Sequence, residues 1–361
     1  MVKIKLTEKY RPFSHEAGTA LLIPKSSWKV TVYPARLILE NLISIGGKEI
    51  LTILPQMNGP LESFTVMQDL EKGWVRIFGL GKKGYFSYRL VASAHEIILF
   101  VERCPKEGLF FDFEGEIRNL KRKEELIIPT MTPAFSLKSS EKMHFGSSKK
   151  QDWSLVKRRL SLEEILPIWF QLGKQIPKHP ILEVGTSRYL KTCADHLTQK
   201  NRDQIGQAFL ELFKVGFEGI LSPRLIDTDY QSHPSDEEIP KQASSLVLLG
   251  EGARLIRKFL IDVDDQEIAI LPCLPKEIHC GRFIGVECGQ GLSIDLEWSK
   301  KMIRRLTLHP KKDQTVTFTF QKPVTSFRLR MGRKGKGKLI PVGTPLELKK
   351  DTLYILDRFQ K

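Results

Sequence analysis

Leu292-Ser293-Ile294-Asp295-Leu296-Glu297-Trp298 alternates without a break. Leu292, Ile294, Leu296 and Trp298 fall on one side; Ser293, Asp295 and Glu297 fall on the other. A period of two marks a strand with one buried and one solvated face. The same character spreads outward, to residues 268–271 and 282–286 before it and 303–309, 315–320, 324–331, 346–348 and 353–356 after it. Residues 263–361 therefore read as a β domain.

Residues 1–135 have a similar texture. Short β-rich runs at 29–33, 36–40, 43–45, 49–54, 74–78, 85–90, 96–101 and 109–113 are mostly separated by glycine or proline. Gly46-Gly47 is a two-residue hairpin signal. Strands this short and this numerous predict a β-sandwich. Residues 136–160 turn polar and read as a linker. Residues 161–262 change period. Leu162, Ile165, Leu166, Trp169 and Leu172 share one helical face. Ser161 and Glu164 have capping-box spacing at its start, and Pro167 is expected to kink or divide it. Further helical faces follow around Leu190 and Phe209. The last runs from Ser245 to Leu260, weakened by Gly250 and Gly252. The predicted fold is multi-domain and mostly β: an N-terminal β-sandwich, a small central α block and a C-terminal β domain.

The chain has 361 residues, with 57 Lys and Arg against 42 Asp and Glu, a net charge of +15. Hydrophobic residues make up 41%, which excludes wholesale disorder. The excess charge is local: residues 300–361 hold 17 basic and 4 acidic residues, so the rest is nearly neutral. Arg333, Lys334, Lys336 and Lys338 form its densest part and are the candidates for binding a polyanion by counterion release. Aromatic residues nearby occupy positions expected to face a core, so nucleic acid is not the favoured partner.

No apolar run is long enough to span a membrane, and no signal-peptide pattern opens the chain. Five cysteines, odd in number and widely spaced, fit reduced thiols, and the expected location is cytoplasmic. Cys273, His279, Cys280 and Cys288 lie near one another, but the cysteines are separated by six and seven residues. Structural zinc sites use tighter pairs, so neither metal nor cofactor is expected.

Gly79-Leu80-Gly81-Lys82-Lys83-Gly84 spells a dinucleotide fingerprint. The fingerprint needs a helix after it to receive the pyrophosphate, whereas a strand follows here, so it reads as a hairpin turn. No Walker A, H-E-x-x-H or G-x-S-x-G sequence occurs. Paired carboxylates, which glycoside hydrolysis requires on either side of the scissile bond, are offered by Glu218, Asp227 and Asp229 in a turn-rich stretch. Asp152 beside Trp153 offers an acid next to a ring able to stack on sugar.

One resemblance runs through the last third of the chain. The run Gly252-Ala253-Arg254-Leu255-Ile256-Arg257-Lys258-Phe259-Leu260 leads to Leu271-Pro272-Cys273-Leu274-Pro275. Then come Gly281-Arg282-Phe283-Ile284-Gly285-Val286 and Asp295-Leu296-Glu297-Trp298. This order is similar to the end of α-L-fucosidase-type glycoside hydrolases with an (α/α)6 barrel. There, a last barrel helix enters a C-terminal β domain. The N-terminal β region then resembles the sandwich that precedes the barrel. The stretch between the two β regions is too short for such a barrel, and none of the family's catalytic motifs can be matched in it. The chain is also similar to a group of bacterial proteins over His144-Phe145-Gly146-Ser147 to Trp153, a likeness that implies no function. Together these imply a degenerate glycosidase relative that binds carbohydrate or is structural. The alternatives are a hydrolase using acids of the helical block, or a basic module for nucleic acid or anionic surfaces.

Overall fold

The computed structural model describes residues 4, 6, 9–43, 49–229, 238–264, 267–332 and 335–361. The Gly46-Gly47 hairpin signal lies outside them. The alternating runs of the first third form two six-stranded antiparallel sheets. One has the order Phe13–Ser14, Glu62–Asp69, Trp74–Gly81, Gly84–Ser93, Glu96–Arg103, Glu125–Pro129. The other runs Glu116–Leu120, Leu109–Phe113, Ile50–Pro55, Arg36–Asn41, Trp28–Tyr33, Thr19–Leu22. Their apolar faces meet, with Tyr88 of one sheet edge-on to Phe111 of the other at 5.3 Å. Gly81 pairs with Gly84 across a tight hairpin, so the glycine-rich hexapeptide is a turn between strands.

Among the described residues, five α-helices stand in the middle: α1 (Trp153–Arg159), α2 (Leu162–Gly173), α3 (Arg188–Thr198), α4 (Ile205–Gly216) and α5 (Leu246–Leu260). Residues 136–160, expected as a linker, contribute α1 and the strand Lys142–His144. The expected capping box does not form. Ser161 makes no side-chain cap bond, and Glu164 instead takes both Nε and Nη2 of Arg159, at 2.6 and 3.0 Å. A charge-assisted fork outcompetes a single cap bond. Nor does Pro167 divide α2, which is buried along both sides of the proline; that burial outweighs one lost backbone bond.

The glycines of α5 have a packing reason. Trp169 of α2 donates its indole N–H to the Leu248 carbonyl at 3.1 Å, and its ring meets Phe217 at 4.6 Å and Phe209 at 5.8 Å. A Cβ on Gly252 would lie 2.5 Å from that ring. Gly173 approaches the Leu249 carbonyl in the same way from α2. Glycine thus costs helix propensity but lets the two helices close around a fixed tryptophan.

After α5 the chain returns to strands. A seven-stranded sheet has the order Lys142–His144, Gly281–Glu287, Leu292–Ser299, Met302–Pro310, Tyr354–Gln360, Ser326–Met331, Lys338–Pro341. A four-stranded sheet joins Ile261–Val263, Glu267–Ile270, Gln314–Phe320 and Leu346–Leu348. The apolar face of Leu292–Ser299 is buried as expected, with Leu292, Ile294, Leu296 and Trp298 all at most 1% exposed. Asp295 on the other face is buried too, because it accepts from the Gly285 backbone N–H at 2.9 Å and lies 3.3 Å from His309 Nε2. Among the described residues, no helix is long and apolar enough to cross a membrane.

The two glycines of α5 separate by experiment. Gly252→Ala should destabilise the protein by about 1–3 kcal/mol through overpacking. At Gly250 an added methyl meets Ile176 at an ordinary 3.5 Å, so Gly250→Ala should be neutral or stabilising by about 0.5–1 kcal/mol. Urea denaturation of both variants checks the contrast.

Candidate functional site

Two backbone seams bind the helical region to the sandwich. Phe13 N–H donates to the Gln151 carbonyl at 2.9 Å, and Ile220 N–H donates to the Ala20 carbonyl at 2.8 Å. The first seam anchors the start of α1, and the second anchors the turn that follows the short strand Phe217–Glu218 after α4. Gly219 sits in that turn at φ +47°, and a side chain there would run into the Ala20 backbone. Only glycine allows this approach.

A cleft of about 240 Å³ opens between the seams. Ser14, Glu16, Gly18 and Thr19 line it from the sandwich edge, Trp153, Ser154 and Lys157 from α1, and Glu218, Gly219 and Asp229 from beyond α4. Two of the carboxylates nominated from sequence, Glu218 and Asp229, thus share one cavity. A third, Glu16, joins them from the sandwich and accepts a bond from the Ser154 hydroxyl at 2.7 Å.

Cations back this acidic lining. Lys29 Nζ lies 3.4 Å from Glu218 and 2.6 Å from Glu40. Burial alone would lower the Lys29 ammonium's pKa, but the hydrogen bond to Glu40 and the nearby Glu218 charge outweigh it, and the net shift is upward. Asp229 is held by Arg224 at 2.9 Å. Ser14 accepts from the Thr19 hydroxyl at 2.9 Å and from the Glu16 backbone N–H at 3.1 Å. Trp153 Nε1 is buried and has no hydrogen-bond partner among the described residues.

The other nominated residues have structural positions. Asp227 is fully buried and pairs with Arg224 at 3.2 Å; it is not among the residues that line the cleft. Arg224 also reaches the Val215 and Lys214 carbonyls, at 3.1 and 3.3 Å. Asp227 and Arg224 thereby lock the chain after α4 and set the position of Asp229. Asp152 is the N-cap of α1, accepting from the backbone of Ser154 and Leu155. Trp153 is 2% exposed and packs edge-on against Phe213, so it offers no open ring for stacking on sugar. Glu16, Ser14 and Lys29 were not legible as site residues, because nothing local ties them to Glu218, some two hundred residues away; Lys157 was not legible because it reads as an ordinary lysine one helical turn after Trp153.

The basic C-terminal region is not one open patch. Arg328 grips Asp357 with Nε and Nη2 at 2.7 and 3.0 Å, and Arg330 adds a third bond at 2.5 Å. Burial by itself would raise the Asp357 carboxyl; the two arginines outweigh it and hold it below the usual carboxylate range. Arg282 faces Glu297 at 3.4 Å, and Lys349 faces Asp313 at 3.5 Å. Lys336 and Lys338 are exposed, while Arg333 and Lys334 lie outside the described residues. Cys273 and Cys288 are buried. Burial pushes the Cys288 thiol up to about 12. Among the described residues, no group of three His, Cys, Asp or Glu is placed to hold a metal ion.

Residues 263–341 match the C-terminal domain of glycoside hydrolase family 95. That match relates the C-terminal part of the chain to glycoside hydrolases. The five helices before it do not make the barrel that the sequence resemblance implies for such enzymes. No curated protein matches the chain.

Two stability measurements test these assignments. Asp227→Ala removes the fully buried one of Arg224's two carboxylate partners and should cost about 1.5–3 kcal/mol, whereas Asp229→Ala removes a 58% exposed partner and should cost about 1 kcal/mol or less. Equal losses in urea denaturation contradict the split. The Asp357 contribution should be present above the ordinary carboxylate pKa of about 3.9 and vanish as pH falls through the lower folded value. Asp357→Asn should flatten that part of a stability profile taken from pH 6 to 2.

Proposed function

We propose that this chain is a glycoside-hydrolase-related protein that binds a glycan rather than cleaving it. In this proposal a single sugar unit occupies the seam cleft. The observation that carries this is the gathering of Glu16, Glu218 and Asp229 with three hydroxyl side chains, Ser14, Thr19 and Ser154, and the Lys157 ammonium around one small cavity. Sugar hydroxyls need such a mixture of acceptors and donors. Ligand pockets usually span about 300–1,000 Å³, and a volume of about 240 Å³ limits the occupant to one ring with its neighbours in solvent. The C-terminal match supports a carbohydrate as the ligand class.

The alternative activity is hydrolysis by Glu218 and Asp229, which line the same cleft. Against it stands the company they keep. A glycosidase acid must hold a proton for the leaving oxygen, and both residues are ion-paired, with Lys29 and Arg224. A role in polyanion binding is less favoured: Arg328 and Arg330 already grip Asp357, which leaves Lys336 and Lys338 as its exposed candidates among the described residues.

Calorimetric titration with neutral oligosaccharides, with and without terminal α-L-fucose, is the test, run alongside an assay for released reducing sugar. Binding should be weakened at least tenfold by Glu218→Gln and by Asp229→Asn, with no sugar released. Sugar release lost in those variants assigns the hydrolase instead. Absence of binding to every glycan in the panel rejects the proposal.

A further inference from the structure

A second groove, of about 580 Å³, lies between α2, α5 and the chain at 137–141, away from the seam cleft. Its walls include Leu137, Ile176 and Pro177, and its charge is one-sided. Lys138, Lys174, Lys178, Arg254 and Arg257 line it, against only Glu141 and Glu287.

The ion pairs leave that imbalance standing. The Glu141 carboxylate is already engaged by Arg257 Nε at 3.1 and 3.2 Å and by the Glu287 backbone N–H at 3.1 Å. Arg254 is held by Glu251 at 2.6 Å. Lys174 Nζ donates to the backbone carbonyls of Ser139, at 3.2 Å, and Glu141. Carbonyls orient an ammonium but do not neutralise it. Burial is accordingly the dominant influence on this amine: against the raising effect of Glu141 and Glu71, and together with Lys142, it brings Lys174 down to about 8. With Arg254 and Arg257 paired and Lys138 and Lys178 exposed to solvent, Lys174 is the half-buried cation of the lining that has no ion pair among the described residues, and it stands beside an apolar wall.

We propose that this groove binds a small organic monoanion with an apolar body. Its acidic group would sit on Lys174 and Lys178 and its body against Leu137, Ile176 and Pro177. An inorganic anion leaves the wall unused, and a neutral apolar ligand leaves Lys174 uncompensated.

Isothermal titration of the full chain with 4-phenylbutyrate, and with its neutral amide 4-phenylbutanamide, tests the proposal. The carboxylate should bind at least tenfold tighter than the amide, and Lys174→Met should erase that preference. Lys178 is exposed on the rim, so Lys178→Glu should weaken binding several-fold with an unchanged melting temperature. This second variant keeps the test decisive if Lys174→Met does not fold. Equal binding of acid and amide, binding of neither, or wild-type affinity in Lys178→Glu overturns the proposal. So does a dimer in sedimentation that 4-phenylbutyrate dissociates without preference over the amide, which assigns the groove to a second copy of the chain.

Discussion

Backbone hydrogen bonds between an edge strand and a turn hold the candidate site together. The strand Thr19–Leu22 lies at the rim of its sheet, where unpaired N–H and C=O groups need a partner. Gly219 and Ile220 supply one by laying backbone against Ala20 and Leu21. The strand Phe13–Ser14 at the rim of the other sheet is met in the same way at Gln151 and Asp152. Covering these edges fixes how α1 and the end of α4 approach the sandwich. The cleft is the space left between the two covers. Its lining comes from three distant parts of the chain, and its carboxylates from two of them, because these parts meet there.

The match at residues 263–341 gives this arrangement its context. A glycosidase needs walls that orient two carboxylates and exclude water. Here the helices close on themselves instead, around Trp169 and the glycines of α2 and α5, and leave no lumen to hold a site. Two concave surfaces lie at junctions, one between sandwich and helices and the other between helices and the 137–141 segment, and a further one of about 250 Å³ lies within the sandwich beside the Gly81–Gly84 turn.

The β character of both ends was legible because alternation is local; Leu292 to Trp298 carries it in seven residues. The helix at Trp153–Arg159 was not, because only Trp153 and Val156 are buried in it and two apolar residues define no period. Glu164 looked like half of a capping box, and the signal was right about a helix start, but the carboxylate bonds Arg159, a partner a capping pattern does not consider. Glu218 and Asp229 were legible as acids in a turn-rich stretch. Their common cleft, and Glu16 within it, depended on a meeting between sandwich and helices that no local pattern encodes. The basic C-terminal region shows the same limit: its charge was countable from composition, while its pairing across strands was not. Trp153 misled for a related reason, since an aromatic beside an acid reads alike whether the ring faces sugar or the core.

Asp357 has a consequence for how the C-terminal sheet closes. The strand Tyr354–Gln360 enters between two strands that precede it in sequence, with Asp357 opposite both Arg305 and Arg328. A slip of one residue sets Arg358 in that place, three cations abreast, and turns Asp357 inward in place of Leu356, a residue with no exposure. Such a slip reverses every side chain of the strand at once. Electrostatics and burial therefore reject the same errors independently. The carboxylate acts as a key that admits the central strand in one alignment, and Arg305, Arg328 and Arg330 around it are the lock.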